Sequence, residues 1–143
     1  MDLTALTADD RLEIHELYTR YSLAEEAADV DGVLAFFTED GSVETPAVLF
    51  QGKEQLRKMI LGQYTMFKKH NARHVNFSLT MSVEADRVRS QCSFFMVSFE
   101  DNPKIVATGC YNDILRKEHG AWKFSQRKLE FKAGPEISDV LQS

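Results

Sequence analysis

The sequence predicts an α+β fold, with helices in the first half of the chain and an antiparallel sheet in the second. Up to Asn71, apolar residues recur at helical spacing. From His74 to Val83, in "NARHVNFSLTMSV", apolar and polar residues alternate, which is typical of a strand with two unlike faces. Further alternating segments follow, separated by the turn sequences "EAD", "DNP" and "EHG". Such strands form a meander, and the helices should pack on one of its faces.

The first helix is predicted over the sequence "LTADDRLEIHELYTRYSLAEEAAD". Thr7 is its expected N-cap, and Asp10 at the third helical position completes a reciprocal pair of hydrogen bonds, the capping box. Tyr18 and Tyr21 belong to its apolar stripe, which should face the protein interior. A short second helix, "DVDGVLAFF", begins after one of two aspartates that can cap it.

A mixed region separates the second helix from the meander. "TEDGS" predicts a turn, "VETP" and "AVLFQG" predict short strands, and "KEQLRKMILGQYTMF" predicts a third helix with Met59 on its inward side. The four long strands that follow are predicted over residues 74–84, 87–100, 104–117 and 121–132.

Length and composition limit the kind of protein. A chain of 143 residues predicts one domain, covering residues 1–143. A net charge of −5 argues against a nucleic-acid or membrane partner, which would require a basic face. Cys92 and Cys110 show neither disulfide nor metal spacing. There is no membrane-length apolar run and no signal-peptide pattern at the N-terminus, so the expected location is the cytoplasm.

Five motifs occur in an order that is similar to a known family: "EIHELYTRY", "DVDGVLAFFTED", "FQG" before a helix, "RHVNF" and "GCYNDILRKEHGAWKFSQRK". The chain resembles the SnoaL-like branch of the nuclear-transport-factor-2-like superfamily, which includes scytalone dehydratase, lindane dehydrochlorinase and the small subunits of ring-hydroxylating dioxygenases. The resemblance implies a cone-shaped fold, in which N-terminal helices pack on a curved antiparallel sheet and enclose a pocket.

The resemblance also implies a catalytic pair. In the dehydratase and dehydrochlorinase branch, a histidine on the first long strand works with an aspartate near the end of the first helix. "RHVNF" puts His74 at the histidine position, and Glu26 stands at the position of the aspartate. Helical periodicity instead puts Glu25 nearer the stripe of Tyr18 and Tyr21. We expect His74 to act as a general base oriented by Glu26, with Glu25 as the alternative partner.

Residues on the predicted inward faces are the candidates for substrate binding. Tyrosine hydroxyls in an apolar pocket can polarise a substrate carbonyl, and apolar side chains can form its walls. The candidates are Tyr18, Tyr21, Phe37, Met59, Asn76, Phe94 and Tyr111. Arg127 is expected to form an ion pair with a carboxylate. No cofactor is expected. No metal is expected either, because "HNARH" spans a helix end and a strand start.

The two faces of the first long strand have different expected neighbours. We expect His74, Asn76 and Ser78 to face the pocket. The opposite row, which comprises Val75, Phe77 and Leu79, then needs a cover, because an apolar strand face is rarely left in water. A homodimer or homotrimer interface would supply this cover.

The function expected from these features is that of a cofactor-independent lyase or isomerase. A histidine–carboxylate pair suits proton abstraction during dehydration, elimination or a double-bond shift. The substrate would be a small, largely apolar carbonyl or hydroxyl compound. Two alternatives remain: a non-catalytic partner like the dioxygenase small subunit, and a small-molecule binding module without turnover. The binding module predicts a pocket without a histidine–carboxylate contact.

Overall fold

A computed structural model describes residues 5–132, apart from the side chain of Met66. The predicted α+β cone is confirmed: N-terminal helices pack on a curved six-stranded sheet that does not close into a barrel. Within the described range, no helix is long and apolar enough to cross a membrane. The elements in chain order are α1 (Ala8–Glu26), α2 (Val30–Ala35), β1 (Phe37–Glu44), β2 (Leu49–Gln51), α3 (Gly52–His70), β3 (Ala72–Glu84), β4 (Arg87–Ser98), β5 (Lys104–Glu118) and β6 (Ala121–Phe131).

The sheet has the order β2-β1-β6-β5-β4-β3. Strands β3 to β6 form the predicted antiparallel meander. β1 differs from the prediction, because it pairs in parallel with β6 and contains the sequence "TEDGS", which was expected to be a turn. The register between β1 and β6 shifts between Phe37 and Ser42. The turn-forming residues therefore make an irregular stretch within the strand, while buried Phe37 and Val43 hold it on the core.

Local capping fixes the starts of the first two helices as the sequence predicts. The Thr7 hydroxyl accepts a hydrogen bond from the Asp10 backbone N–H at 3.0 Å, and the Asp10 carboxylate accepts one from the Thr7 backbone N–H at 3.1 Å. α2 begins after Asp29, whose carboxylate accepts a hydrogen bond from the Gly32 N–H at 3.0 Å.

A β-bulge in β3 changes which residues face the core. Phe77 pairs with Ser93 and Thr80 with Gln91, so β3 advances by three residues where β4 advances by two. Ser78 takes the extra position, with φ at 56°. The expectations for two residues are therefore wrong: Ser78 is exposed on the surface, and Leu79 packs against the core. Period-two alternation cannot predict this, because one extra residue exchanges the two faces.

Candidate active site

A cavity of about 540 Å³ lies between the helices and the concave face of the sheet. Its size falls within the range of small-molecule sites, and most of its lining is apolar. The lining residues come from six parts of the fold. They are Tyr21 and Glu25 of α1, Val43 of β1, residues 45–48 of the β1–β2 connection, Phe50 of β2, Lys58, Met59, Gly62, Gln63 and Phe67 of α3, and His74, Phe94, Met96, Ala107, Tyr111, Arg127, Leu129 and Phe131 of β3 to β6.

His74 and Glu25 meet on the wall of this cavity. The Nε2 atom of His74 lies 3.5 Å from the Oε2 atom of Glu25, and the two side chains are only 2% and 7% exposed. The distance is longer than a hydrogen bond, as is common for catalytic pairs without substrate. The imidazole lies between Phe67 and Phe94, with ring centroids 5.2 and 6.4 Å away. Its Nδ1 atom is buried and has no hydrogen-bond partner among the described residues.

The ring of His74 therefore faces Glu25, and the expected contact with Glu26 is wrong. α1 stays regular to Glu26, so its buried face continues from Tyr18 and Tyr21 through Ser22 to Glu25. Glu26 points about 100° away around the helix. Its carboxylate instead accepts a hydrogen bond from the backbone N–H of His74, at 3.3 Å. Adjacent glutamates thus contact the side chain and the backbone of the same histidine.

Burial shifts the pKa values of both partners. It raises the pKa of Glu25 to about 7, against the opposing influence of Tyr21 and Arg127. Burial, together with the nearby positive charge of Arg127, lowers the pKa of His74 to about 4. A carboxyl that titrates near neutral pH beside a neutral imidazole is an arrangement found at proton-transfer sites. The ionised form of Glu25 would favour a proton on His74.

Arg127 forms the predicted ion pair with a carboxylate, and its partner is Asp113. Two bonds join them, from Nε to Oδ1 at 3.1 Å and from Nη2 to Oδ2 at 3.2 Å. Both residues are buried. The Tyr18 hydroxyl donates a hydrogen bond to Asp113 and lies 2.8 Å from Ser90 Oγ. The guanidinium also lies 3.7 Å from the centroid of the Tyr111 ring, so its charge is satisfied by an anion and by an aromatic face.

The predicted substrate-binding residues divide into two groups. Those that line the cavity are Tyr21, Met59, Phe94 and Tyr111, along with His74. Tyr18, Phe37 and Asn76 do not line it. The Tyr18 hydroxyl is engaged with Asp113, Phe37 packs behind Tyr21 and Phe124, and the Asn76 amide donates to Ser22 Oγ on α1 at 3.0 Å. A side chain that points inward can line the cavity or pack in the core beneath α1, and its direction alone does not distinguish the two.

Four lining residues on α3 were not predicted: Lys58, Gly62, Gln63 and Phe67. Gln63 and Phe67 continue the inward line of Met59 at intervals of four residues. Gln63 could have been predicted, because it is a polar residue at an apolar position of the helical repeat. The same spacing of four residues places Phe67 against His74. Within residues 5–132, no three histidine, cysteine, aspartate or glutamate side chains are grouped so that they could hold a metal ion.

The chain belongs to the SnoaL-like domain family, because the family's sequence model matches residues 6–128. None of the curated proteins compared with the chain matches it.

Solved structures share the fold. A protein of unknown function with a cystatin-like fold from Nostoc punctiforme is 28% identical and has a TM-score of 0.80, with 90% of this chain and 96% of that chain covered. A protein from Novosphingobium aromaticivorans, named as a candidate scytalone dehydratase, is 22% identical with a TM-score of 0.76 and covers 87% and 85%. LinA is 17% identical with a TM-score of 0.70 and covers 87% of both chains. At 22% and 17% identity, the last two show the fold alone.

Proposed function

We propose that the protein is a cofactor-independent lyase or isomerase that removes a proton from a small, largely apolar carbonyl or hydroxyl compound. The observation that carries the proposal is the buried contact between His74 and Glu25 on the wall of a ligand-sized cavity. This contact favours an enzyme over a binding module. The open cavity favours an enzyme over a non-catalytic partner subunit, whose core would be filled by side chains. The name of the Novosphingobium relative points to dehydration, within the same class of reaction.

The chemistry begins with Glu25 ionised and His74 neutral. Glu25 would accept a hydrogen bond from the N–H at Nε2, which leaves the lone pair on Nδ1 free to take a proton. A substrate C–H bond breaks, its proton moves to Nδ1, and its electron pair forms a double bond toward the carbonyl. In an elimination, the electron pair then expels a leaving group on the neighbouring carbon. In an isomerisation, the imidazolium returns the proton to another carbon.

The negative charge that develops on the substrate oxygen needs hydrogen-bond donors. Tyr21 and Tyr111 both line the cavity, and burial raises the pKa of each phenol above its usual value. Both phenols therefore remain protonated at neutral pH. The Tyr21 hydroxyl is hydrogen-bonded to Glu25, so Tyr111 is the phenol suited to donate to an oxyanion.

Deuterium exchange tests the proposal before the natural substrate is known. Bicyclic ketones such as 1-indanone and 1-tetralone are incubated with the protein in D₂O, and loss of the α-proton signal is followed by NMR. We expect exchange faster than in buffer. After subtraction of the buffer rate, the second-order rate constant should rise with pH through about 7 and then level off, because Glu25 must lose its proton before it can stabilise an imidazolium.

The exchange rate should depend on pH in one direction below neutrality. Below pH 7 the Glu25 carboxyl is neutral, and below about pH 4 the His74 imidazole is also protonated, so the exchange rate should fall continuously toward low pH. Exchange at the buffer rate across the ketone panel, or a rate that rises as the pH falls, would contradict the proposed base.

We also propose that the protein is a homodimer or homotrimer that buries the outer face of the sheet. Val75 and Phe77 are 48% and 39% exposed there, and the Phe77 ring packs against Phe95 across the strand pair with ring centroids 4.9 Å apart. Ile105 extends this apolar surface along β5. Burial of such a patch against a second copy would remove it from water.

Sedimentation velocity at micromolar concentration tests the assembly. The wild-type protein should sediment as a dimer or trimer, and Phe77→Asp should sediment as a monomer, because burying an unpaired carboxylate in the interface is unfavourable. Leu12→Asp is the matched control, since Leu12 is 64% exposed on α1, away from the sheet. A monomeric wild-type protein would rule the interface out.

A further inference from the structure

Buried polar atoms without partners point to an additional feature of the cavity. Four buried side-chain atoms in the described part of the chain lack a hydrogen-bond partner, and two of them belong to lining residues: His74 Nδ1 and Gln63 Oε1. The mechanism uses Nδ1 of His74 but has no role for Gln63. Because buried polar atoms are nearly always hydrogen-bonded, an unpartnered carbonyl oxygen at a ligand cavity indicates that the ligand supplies the partner.

The surroundings of Gln63 leave its oxygen without an alternative partner. Met59 and Phe67, one helical turn before and after Gln63, are apolar. Each of the other charged lining groups has a partner of its own: Arg127 contacts Asp113, Glu25 contacts His74, and Lys58 lies 3.8 Å from Glu54. An unpartnered buried amide oxygen is unfavourable in the free protein, so the residue is not explained by stability.

We propose that Gln63 is a specificity-determining residue that binds a hydroxyl group of the substrate, so that the ligand class is a hydroxylated, otherwise apolar compound. A hydroxyl both donates and accepts hydrogen bonds, and therefore matches either orientation of the side-chain amide. The hydroxyl is held at the α3 wall while His74 acts from the sheet wall. The inference takes the cavity as the substrate site and so rests on the proposed function, but binding alone can test it.

The test compares ligands that differ only in the hydroxyl. The affinities of 1- and 2-naphthol, and of 1- and 2-methylnaphthalene, are measured by fluorescence titration against the wild-type protein and Gln63→Leu. The preference for the better-bound naphthol over its methyl counterpart should fall about tenfold in Gln63→Leu, as expected for the loss of one buried hydrogen bond. Gln126→Leu, an exposed control on β6, should keep the wild-type preference.

Thermal unfolding supplies a second measurement. Gln63→Leu should unfold at the same temperature as the wild type or a higher one, because it replaces an unpartnered amide by a side chain of similar size. An unchanged naphthol preference in Gln63→Leu would overturn the inference and would indicate that a water molecule satisfies the amide. His74→Ala separates the two proposals. It should lower ketone exchange about 100- to 10,000-fold, whereas the comparison of naphthol preference between the wild type and Gln63→Leu measures binding without proton transfer, so either proposal can fail while the other stands.

Discussion

His74→Ala should lower the protein-catalysed exchange rate about 100- to 10,000-fold, which is the usual contribution of a positioned general base. Glu25→Gln should cause a loss of similar size. The glutamine keeps the shape of the side chain but removes the charge that stabilises the imidazolium. Its amide can also donate to Nε2, which would hold the imidazole in the wrong tautomer. Both variants are to be assayed with the same ketone panel in D₂O.

Glu26→Gln is the matched control for Glu25→Gln. Glu26 accepts a hydrogen bond from the backbone N–H of His74, and a glutamine oxygen can accept the same bond, so the exchange rate should change by no more than a few fold. Circular dichroism should show folded protein for all three variants. If Glu26→Gln loses activity while Glu25→Gln keeps it, the family position is the catalytic one and the geometric assignment fails.

Arg127→Met should lower the free energy of unfolding by about 3–5 kcal/mol. The substitution leaves Asp113 as a buried, uncompensated carboxylate and removes the cation from between aromatic rings. A loss of this size is a large part of the total stability of a small domain, and urea unfolding should show it as a lower midpoint. Asp113→Asn should also destabilise the protein, because it leaves the Arg127 charge without its anion.

Two further variants identify the cause. Arg127→Met combined with Asp113→Leu should be less destabilised than the sum of the single changes, because no unpaired charge remains in the core. Arg20→Met breaks an ion pair with Glu16 whose side chains are 68% and 63% exposed, and should change the unfolding free energy by less than about 1 kcal/mol. An Arg127→Met midpoint equal to that of Arg20→Met would exclude a stabilising role for the buried pair.

The sequence by itself determined the features that depend on neighbouring residues. The capping box of Thr7 and Asp10, the order of helices and strands, and the meander from β3 to β6 all follow from local periodicity and turn chemistry. The same periodicity also put Glu25 on the buried stripe of α1. The family position favoured Glu26, and the regular helix shows that the local rule was the better guide to this contact.

The tertiary structure alone decided the features that depend on how elements meet. The bulge at Ser78 is set by the pairing of β3 with β4, and it turns Leu79 inward against the alternation of the sequence. Asn76 lies on the inward face as predicted, but its amide N–H donates a hydrogen bond to Ser22 on α1 and not to a ligand. An inward direction is a local property of a helix or strand. Whether an inward side chain meets the core or a cavity depends on the distance between packed elements, which no local pattern contains.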